Sequence, residues 1–341
     1  MLNYSVAPSL FCVVLAALTL SACASAPPLA APACAMSDED GAWIDRSVAA
    51  WRFATREIGG FEPPVDMQSV FFDADCVWVS SDALGGASAP TWRVSAHAGV
   101  VTLPDGEEMP AGVTSFTTDD GRGARYFVMP MPSVWAAGGV SNATLGLETM
   151  MTGVLLHEGA HVVQIPTYGA RIDRLSEANN LPDDFNDDSM QRRFEADDVF
   201  AASIERETEL LFAAAVAPDD GEARRLAFEA RELMRARAAR SFVGEAAYWA
   251  EAEDVWLTFE GSAQWLGYQW VTSPRDGAAP HFDAMPGFDQ RSRWWSQKQG
   301  LALFMALSRL DDGAWRTTVF GDGSKTGLEL IDEAIAADGP R

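Results

Sequence analysis

The sequence predicts an α+β fold in which a small twisted sheet packs on a mainly helical body. Two patterns of residue types along the 341 residues indicate this fold class. Short β-rich pieces separated by Gly, Pro and Asp occupy about residues 65–132, whereas apolar residues recur at helical spacing from about residue 142 almost to the end. We see no internal repeat, so one domain is expected at 38–341, with a sheet-containing part at about 38–135 and a helical part at about 136–341.

The elements follow in order from this pattern. A helix is expected from Asp38 to about Gly59, because it has an acidic start, apolar residues at helical spacing and a Gly-Gly stop. The strand candidates come next, with the sequences SVFF, CVWVS, TWRVS, VVTL, VTSFT and RYFVMPM. Residues 142–166 then predict one long helix, apolar nearly all round and therefore buried.

The rest of the chain is predicted to be mainly helical. An acidic loop is expected at Asp173–Asp198, where the charges favour a solvated segment. Helices are then expected at about 190–215, 222–240 and 244–270, followed by a Pro/Gly-rich loop at 273–288 and two C-terminal helical segments.

The N-terminus differs from the rest of the chain. Residues 1–22 carry no charge and contain an apolar run of signal-peptide length, too short for a comfortable membrane span. The run ends in LSAC, which resembles the lipobox of bacterial lipoproteins and implies that Cys23 is lipidated. Residues 23–37 would then form an Ala/Pro-rich tether. An ordinary cleaved signal, with ACA or ASA as its small-residue site, is the alternative.

Either interpretation predicts export, and Ala24 after the cysteine favours the outer membrane by resemblance to the usual lipoprotein sorting pattern. An oxidising periplasm would let Cys34 and Cys76 pair, and two unpaired thiols are the alternative. The formal net charge of −24 argues against nucleic acid or an anionic membrane surface as a partner. We therefore expect membrane contact through the lipid anchor only, and no oligomeric state is predicted.

The most informative stretch is HEGAH at residues 157–161, inside the predicted buried helix. The chain has four histidines, and His157 and His161 lie one turn apart on one helix face, so both imidazoles can reach one metal ion. Glu158 is rotated by about 100° round the helix, where it can meet a water at the metal instead. The motif predicts two zinc ligands and a general base. A hydrogen-bonded pair of core histidines is the alternative.

A catalytic zinc needs a third protein ligand and an open position. The metzincin extension is absent, because Gln164 and Thr167 stand where that class has Gly and His. The upstream cysteine ligand of peptide deformylase is also missing, since no cysteine lies between Cys76 and the motif. His97 and His281 fall in predicted loops. A glutamate is therefore the better candidate.

A second stretch, WLTFEGSAQWLGY at residues 256–268, resembles the W-L-x-E-G-x-A segment of gluzincin aminopeptidases, whose glutamate is the third zinc ligand. The resemblance implies a zincin-like fold with a buried active-site helix and Glu260 as the third ligand. It also implies that Gly261 and Ala263 pack closely on that helix. This chain has one extra residue before Glu260 and a longer segment between His161 and Glu260.

The intervening stretch IERETELL offers another third ligand. Glu205 and Glu209 lie one turn apart, which resembles the ligand and its neighbouring carboxylate in thermolysin-like enzymes. A solvated helix face is the other interpretation of this charge run.

Several residues are candidates for the oxyanion donor, for support of the metal ligands and for contact with a substrate. Tyr168, Tyr268 and His281 are the possible donors to the oxyanion of a tetrahedral intermediate. Gln164 lies two turns after His157 on the metal-facing stripe, where it either supports the site or is the polar end of the helix. The strand ARYFVMPM, residues 124–131, either faces a peptide as an edge strand or lies in the core.

These residues predict a zinc-dependent hydrolase, most directly a peptidase with a peptide or protein as its substrate. Zn²⁺ would polarise the carbonyl and lower the pKa of water, while Glu158 carries the proton to the leaving amine. One alternative is a non-catalytic envelope lipoprotein that retains a zincin fold. Another is a zinc hydrolase of non-peptide amides or esters.

Overall fold

The first element of the described part of the chain is a capped helix, and the segment just before it is joined to the sheet by a disulfide. The computed structural model of the protein describes residues 34–62, 67–81, 90–273 and 294–337. Helix α1 (Asp38–Phe53) starts after Ser37, whose side chain accepts a hydrogen bond from the backbone N–H of Asp40. A π-helical segment (Ala54–Gly59) extends α1, as the spacing predicted. Cys34 is disulfide-bonded to Cys76. The predicted signal peptide and Cys23 lie outside the described residues.

The described strands form two sheets. The strands are β1 (Met67–Phe72), β2 (Cys76–Ser80), β3 (Trp92–Ala96), β4 (Val100–Thr102), β5 (Glu108–Pro110), β6 (Phe116–Asp119) and β7 (Arg125–Pro130). The larger sheet has five strands in the order β3-β2-β1-β7-β6, and β4 and β5 form a separate two-stranded sheet. Strands β1 and β7 are parallel, whereas the other pairs are antiparallel. The strand predicted at residues 124–131 is therefore internal as β7, and β6 is the edge strand beside it.

The two faces of the sheet belong to different hydrophobic clusters because side chains alternate along a strand. Phe71, Phe127 and Met129 lie in the main core with α1 and the helical body. Val70 and Val128 lie in a smaller cluster on the opposite face, which includes Val101 of β4 and residues near it. The sheet is thus covered on both faces, and one face packs against the helices.

The helical body confirms the α+β class. Its helices are α2 (Pro132–Ala137), α3 (Leu147–Gln164), α4 (Ala170–Asn179), α5 (Ser189–Phe194), α6 (Asp198–Ala215), α7 (Asp220–Ser241), α8 (Trp249–Val271), α9 (Trp295–Leu310), α10 (Trp315–Thr317) and α11 (Gly327–Ala336). The predicted acidic loop is wrong in part, because α4 and α5 occupy much of it. None of the helices in the described ranges is both long and apolar enough to cross a membrane.

Two glycines allow the helices around the centre of the body to approach closely. A Cβ at Gly159 of α3 would lie 2.6 Å from the indole of Trp51 in α1. A Cβ at Gly261 of α8 would lie 2.4 Å from backbone atoms of Gly300 in α9. The prediction that Gly261 packs on the active-site helix is therefore wrong. Its lack of a side chain serves the contact between α8 and α9, and α8 meets α3 through other residues.

Candidate metal centre

Three buried side chains from two helices meet at one point. The Nε2 atoms of His157 and His161, both on α3, lie 2.8 Å apart. The carboxylate of Glu260 on α8 lies 3.3 Å from each nitrogen, with Oε2 next to His157 and Oε1 next to His161. Each residue is more than nine-tenths buried. In the described part of the chain, no other group of His, Cys, Asp or Glu side chains is placed to hold a metal ion.

The donor atoms are close enough to share one metal ion. Ligand atoms about 2.0–2.1 Å from zinc in tetrahedral directions lie about 3.3–3.4 Å from one another. The distance from each imidazole nitrogen to its nearest Glu260 oxygen, 3.3 Å, has this value, although the two distances involve different oxygens. The two Nε2 atoms, 2.8 Å apart, are at hydrogen-bond distance and would have to separate by about 0.5 Å to take up tetrahedral positions. The nitrogen and carboxylate donors are those that zinc prefers, and three of them leave a fourth position open.

The three residues change one another's pKa values. Burial alone would raise the pKa of Glu260, but the charge of His161 and hydrogen bonds from both imidazoles outweigh burial and lower it. Burial alone would lower the pKa of His157, but the hydrogen bond and charge of Glu260 raise it, with smaller contributions from Glu158 and Asp187. Metal ligands of these types bind in their deprotonated form, so a metal ion must compete with protons for the same atoms.

One of the two residues between Leu257 and Glu260 contacts the site. Phe259 stacks on the His161 ring, with centroids 3.9 Å apart and planes 11° from parallel. The Nδ1 atoms of both histidines have no hydrogen-bond partner among the described residues. Zinc-binding histidines are usually oriented by a hydrogen bond at their second nitrogen. Here an aromatic contact restrains the His161 ring.

Gln164 joins the two helices that carry the His157, His161 and Glu260 cluster. Its side chain is fully buried, and Nε2 donates to the hydroxyl of Ser262, 2.8 Å away on α8. Ser262 in turn donates to the backbone carbonyl of Thr258. Gln164 therefore ties the end of α3 to the helix turn that carries Glu260.

Glu158 lies next to the metal centre on α3. It is 6% exposed, and its carboxylate Oε2 is 2.9 Å from the hydroxyl of Thr117 on the edge strand β6. It is not a member of the three-residue cluster. This is the arrangement that the HExxH spacing predicts, with the glutamate beside the ligands rather than among them.

The alternative third ligands do not reach this centre. Glu205 and Glu209 are exposed on α6, and Glu209 pairs with Arg206 at 3.4 Å. The prediction of a metal ligand there is wrong because the face of α6 that points inward carries Glu207, which is bound to Arg237. The solvated-face interpretation of this charge run holds for Glu205 and Glu209.

The tyrosines proposed as oxyanion donors are both buried. The hydroxyl of Tyr168 donates to the backbone carbonyl of Lys325 at 2.6 Å, so its proton is already engaged. Tyr268 lies two turns after Glu260 on α8, about 12 Å along the helix axis, and burial raises its pKa to about 12. Neither belongs to the cluster, and the oxyanion role stays a prediction. His281 lies outside the described residues.

Asp187 is a residue of the site that the sequence did not single out. Burial and the negative charges of Glu260 and Asp188 raise its pKa from 3.8 to about 8, and the positive charge of His157 partly opposes this. The hydroxyl of Ser296 at the start of α9 lies 3.4 Å from its Oδ2. Asp187 stands in a run of similar acidic residues, so no local pattern distinguishes it. Only the fold brings it near the metal centre.

The raised pKa of Asp187 predicts how Asp187→Asn changes the pH dependence of stability in metal-free protein. The folded state holds the Asp187 proton more tightly than the unfolded chain does. The resulting stability is complete below the ordinary pKa of 3.8 and is lost as the pH rises towards 8. The Tm of Asp187→Asn relative to wild type should therefore rise by several degrees between pH 5 and pH 8 in EDTA.

The matched control is Asp183→Asn, because Asp183 is exposed in the same segment. Its Tm relative to wild type should change little over this pH range. An Asp187→Asn difference that is flat with pH, or that shrinks as the pH rises, would contradict the burial of Asp187 beside the other carboxylates.

The comparisons with known proteins do not identify this chain. No protein-family model, curated protein or solved structure matches it.

Proposed function

We propose that the protein is a zinc-dependent hydrolase, most directly a peptidase, with His157, His161 and Glu260 as the zinc ligands and Glu158 as the general base. One observation carries the proposal. Two imidazole nitrogens and a carboxylate, the donor types that zinc prefers, converge at one buried point, and a further buried carboxylate follows the first histidine in the chain. The gluzincin-like segment around Glu260 supports the same set of ligands.

Each side chain of the proposed site has a separate role. A bound zinc ion would supply a Lewis acid for the scissile carbonyl and make a nearby water more acidic. Glu158 accepts the proton of the attacking water and delivers it to the nitrogen of the departing amine. Glu260 and the two imidazoles keep their places because α3 and α8 are tied together by the Gln164–Ser262 hydrogen bond. Phe259 restrains the His161 ring.

A peptide substrate has a place to align beside Glu158. Strand β6 pairs with β7 along one side only, within the described sheet. An extended peptide can add to such an edge through backbone hydrogen bonds. Because Thr117 of β6 touches Glu158, a peptide on this edge lies next to the general base. This placement favours a peptide over a small amide or ester.

The proposed location is the periplasm, with a lipid anchor at Cys23 in the outer membrane. The Cys34–Cys76 disulfide supports export, because disulfides persist in oxidising compartments. The lipid anchor itself depends on the LSAC segment. The substrate would then be a peptide or protein of the cell envelope.

Zinc content tests the proposed ligands. Protein that starts after Cys23, purified without added metal, should contain about one zinc per chain by elemental analysis. His157→Ala and Glu260→Ala should each lose it, because two remaining ligands hold zinc weakly. The matched controls Glu205→Ala and Glu209→Ala change exposed glutamates and should keep a full equivalent.

Two outcomes would contradict this assignment. Retention of zinc by Glu260→Ala would place the third ligand elsewhere. Absence of zinc from wild type, even after supplementation, would leave HEGAH as a buried polar cluster and would support the non-catalytic envelope protein.

A further inference from the structure

Thr117 lies where the edge strand passes the HEGAH helix. It pairs with Phe127 across β6 and β7, and Phe127 belongs to the main core. Because partners in a cross-strand pair share a face, the Thr117 side chain points to the same face as Phe127, towards α3. Arg125, at the start of β7, reaches the same helix with a hydrogen bond to the backbone carbonyl of Val162.

The Thr117 hydroxyl meets Glu158 at two atoms. Its Oγ1 lies 2.9 Å from the carboxylate Oε2 and 2.9 Å from the backbone carbonyl oxygen of the same residue. A hydroxyl has one proton, so it donates to one of these oxygens at a time. A branched Cβ also restricts the Thr117 side chain to few rotamers. The result is a short, stiff link between the strand and the general base.

We propose that Thr117 is the positioning residue of Glu158 and couples the general base to the strand on which a peptide aligns. The inference rests on the proposed function. With Thr117 donating to Oε2, Oε1 is turned towards the attacking water and accepts its proton. That proton then passes to the nitrogen of the leaving amine, while the Thr117 proton stays on Oγ1. The hydroxyl therefore orients the transfer without taking part in it.

A purely structural role for Thr117 gives different results from a positioning role. A structural bond to the Glu158 carbonyl would stabilise the contact between strand and helix but leave the turnover of folded protein unchanged. A positioning role acts on the proton-transfer step, so its loss lowers kcat and leaves KM and zinc content unchanged. Misplacement of a catalytic group by about 1 Å can cost about 100-fold.

The experiment compares Thr117→Val, Thr117→Ser and Thr152→Val in the zinc-loaded full-length protein. Thr152 is the matched control, because its buried hydroxyl joins α3 to Ser47 of α1 at 2.9 Å without touching Glu158. We expect kcat to fall by about 10- to 100-fold in Thr117→Val, with KM and zinc unchanged. Thr117→Ser, which keeps the hydroxyl, should recover most of the rate. Thr152→Val should lower Tm but not kcat.

A second measurement does not depend on turnover. Crystal structures of zinc-loaded wild type and Thr117→Val should show the Glu158 carboxylate in different orientations. An unchanged carboxylate, or an unchanged kcat in Thr117→Val, would overturn the positioning role. If wild type cleaves no peptide, the peptidase proposal fails, and the two crystal structures still show whether Thr117 sets the orientation of the Glu158 carboxylate.

Discussion

Glu158→Gln should abolish peptide hydrolysis while zinc stays bound. The amide has nearly the shape of the carboxylate but cannot accept the proton of the attacking water. A general base contributes typically about 10²- to 10⁴-fold to the rate, so kcat should fall by at least that range. Zinc should stay at the wild-type level because Glu158 is outside the ligand cluster. Initial rates on a peptide library, together with elemental analysis, measure both effects.

The matched control is Glu148→Gln on the same helix. Glu148 lies in the first turn of α3, where it pairs with Arg46 at the surface. This variant should keep both zinc and activity. Full activity in Glu158→Gln would refute the general-base role. Turnover of esters or simple amides without turnover of peptides would favour the broader zinc hydrolase, and the same variant would still be inactive.

The sequence predicts the part of the site that lies within one helical turn. His157, Glu158 and His161 are fixed relative to one another by the geometry of an α-helix, so their spacing is enough to predict two candidate ligands and a candidate base. The candidate third ligand is different, because its position depends on how α3 and α8 pack. The resemblance to gluzincins favoured Glu260, whereas the residues alone left Glu205 and Glu209 open.

Residues that complete the site through tertiary contacts were not predictable. Phe259 matches no fixed position of the gluzincin segment, yet it stacks on His161. Asp187 resembles its acidic neighbours, and Thr117 is one of several threonines near it in the sequence. Gly261 was predicted to pack on the active-site helix, but it packs on α9. A glycine in the sequence indicates that another element packs closely there, but it does not indicate which element.

For the fold as well, local features were predictable from the sequence and long-range features were not. The pattern of β-favouring residues and the helical spacing of apolar residues predicted where strands and helices occur, because both depend on local periodicity. They did not predict that β1 pairs in parallel with β7, which makes β6 the edge strand. Strand pairing joins distant segments, so local patterns contain little information about it.

A buried charge network in the helical body gives the largest expected effect on stability. Arg237 of α7 has no solvent exposure, and it bonds Glu207 of α6 at 2.8 Å and Glu253 of α8 at 2.7 Å. Gln299 of α9 also donates to Glu207 at 2.8 Å. The Arg237 guanidinium lies 4.7 Å from the centre of the Phe200 ring. One cation thus serves two buried carboxylates on different helices.

Arg237→Met should destabilise the protein by about 3–5 kcal/mol, because it leaves two buried carboxylates without a cation. Burial already raises the pKa of Glu253 although Arg237 opposes it, and loss of Arg237 raises it further. Carboxyls whose folded pKa is raised favour folding at low pH and oppose it as the pH rises. The loss, measured by urea unfolding, should therefore be smaller at pH 5 than at pH 8.

Arg235→Met on the same helix is the matched control. Arg235 is 47% exposed and pairs with Asp332, which is 32% exposed, so its loss should cost less than about 1 kcal/mol. Glu253 lies two turns before Glu260 on one face of α8. Arg237→Met should therefore also weaken zinc binding, whereas Arg235→Met should not. Equal losses of stability in the two variants would show that the buried network contributes no more than a surface pair.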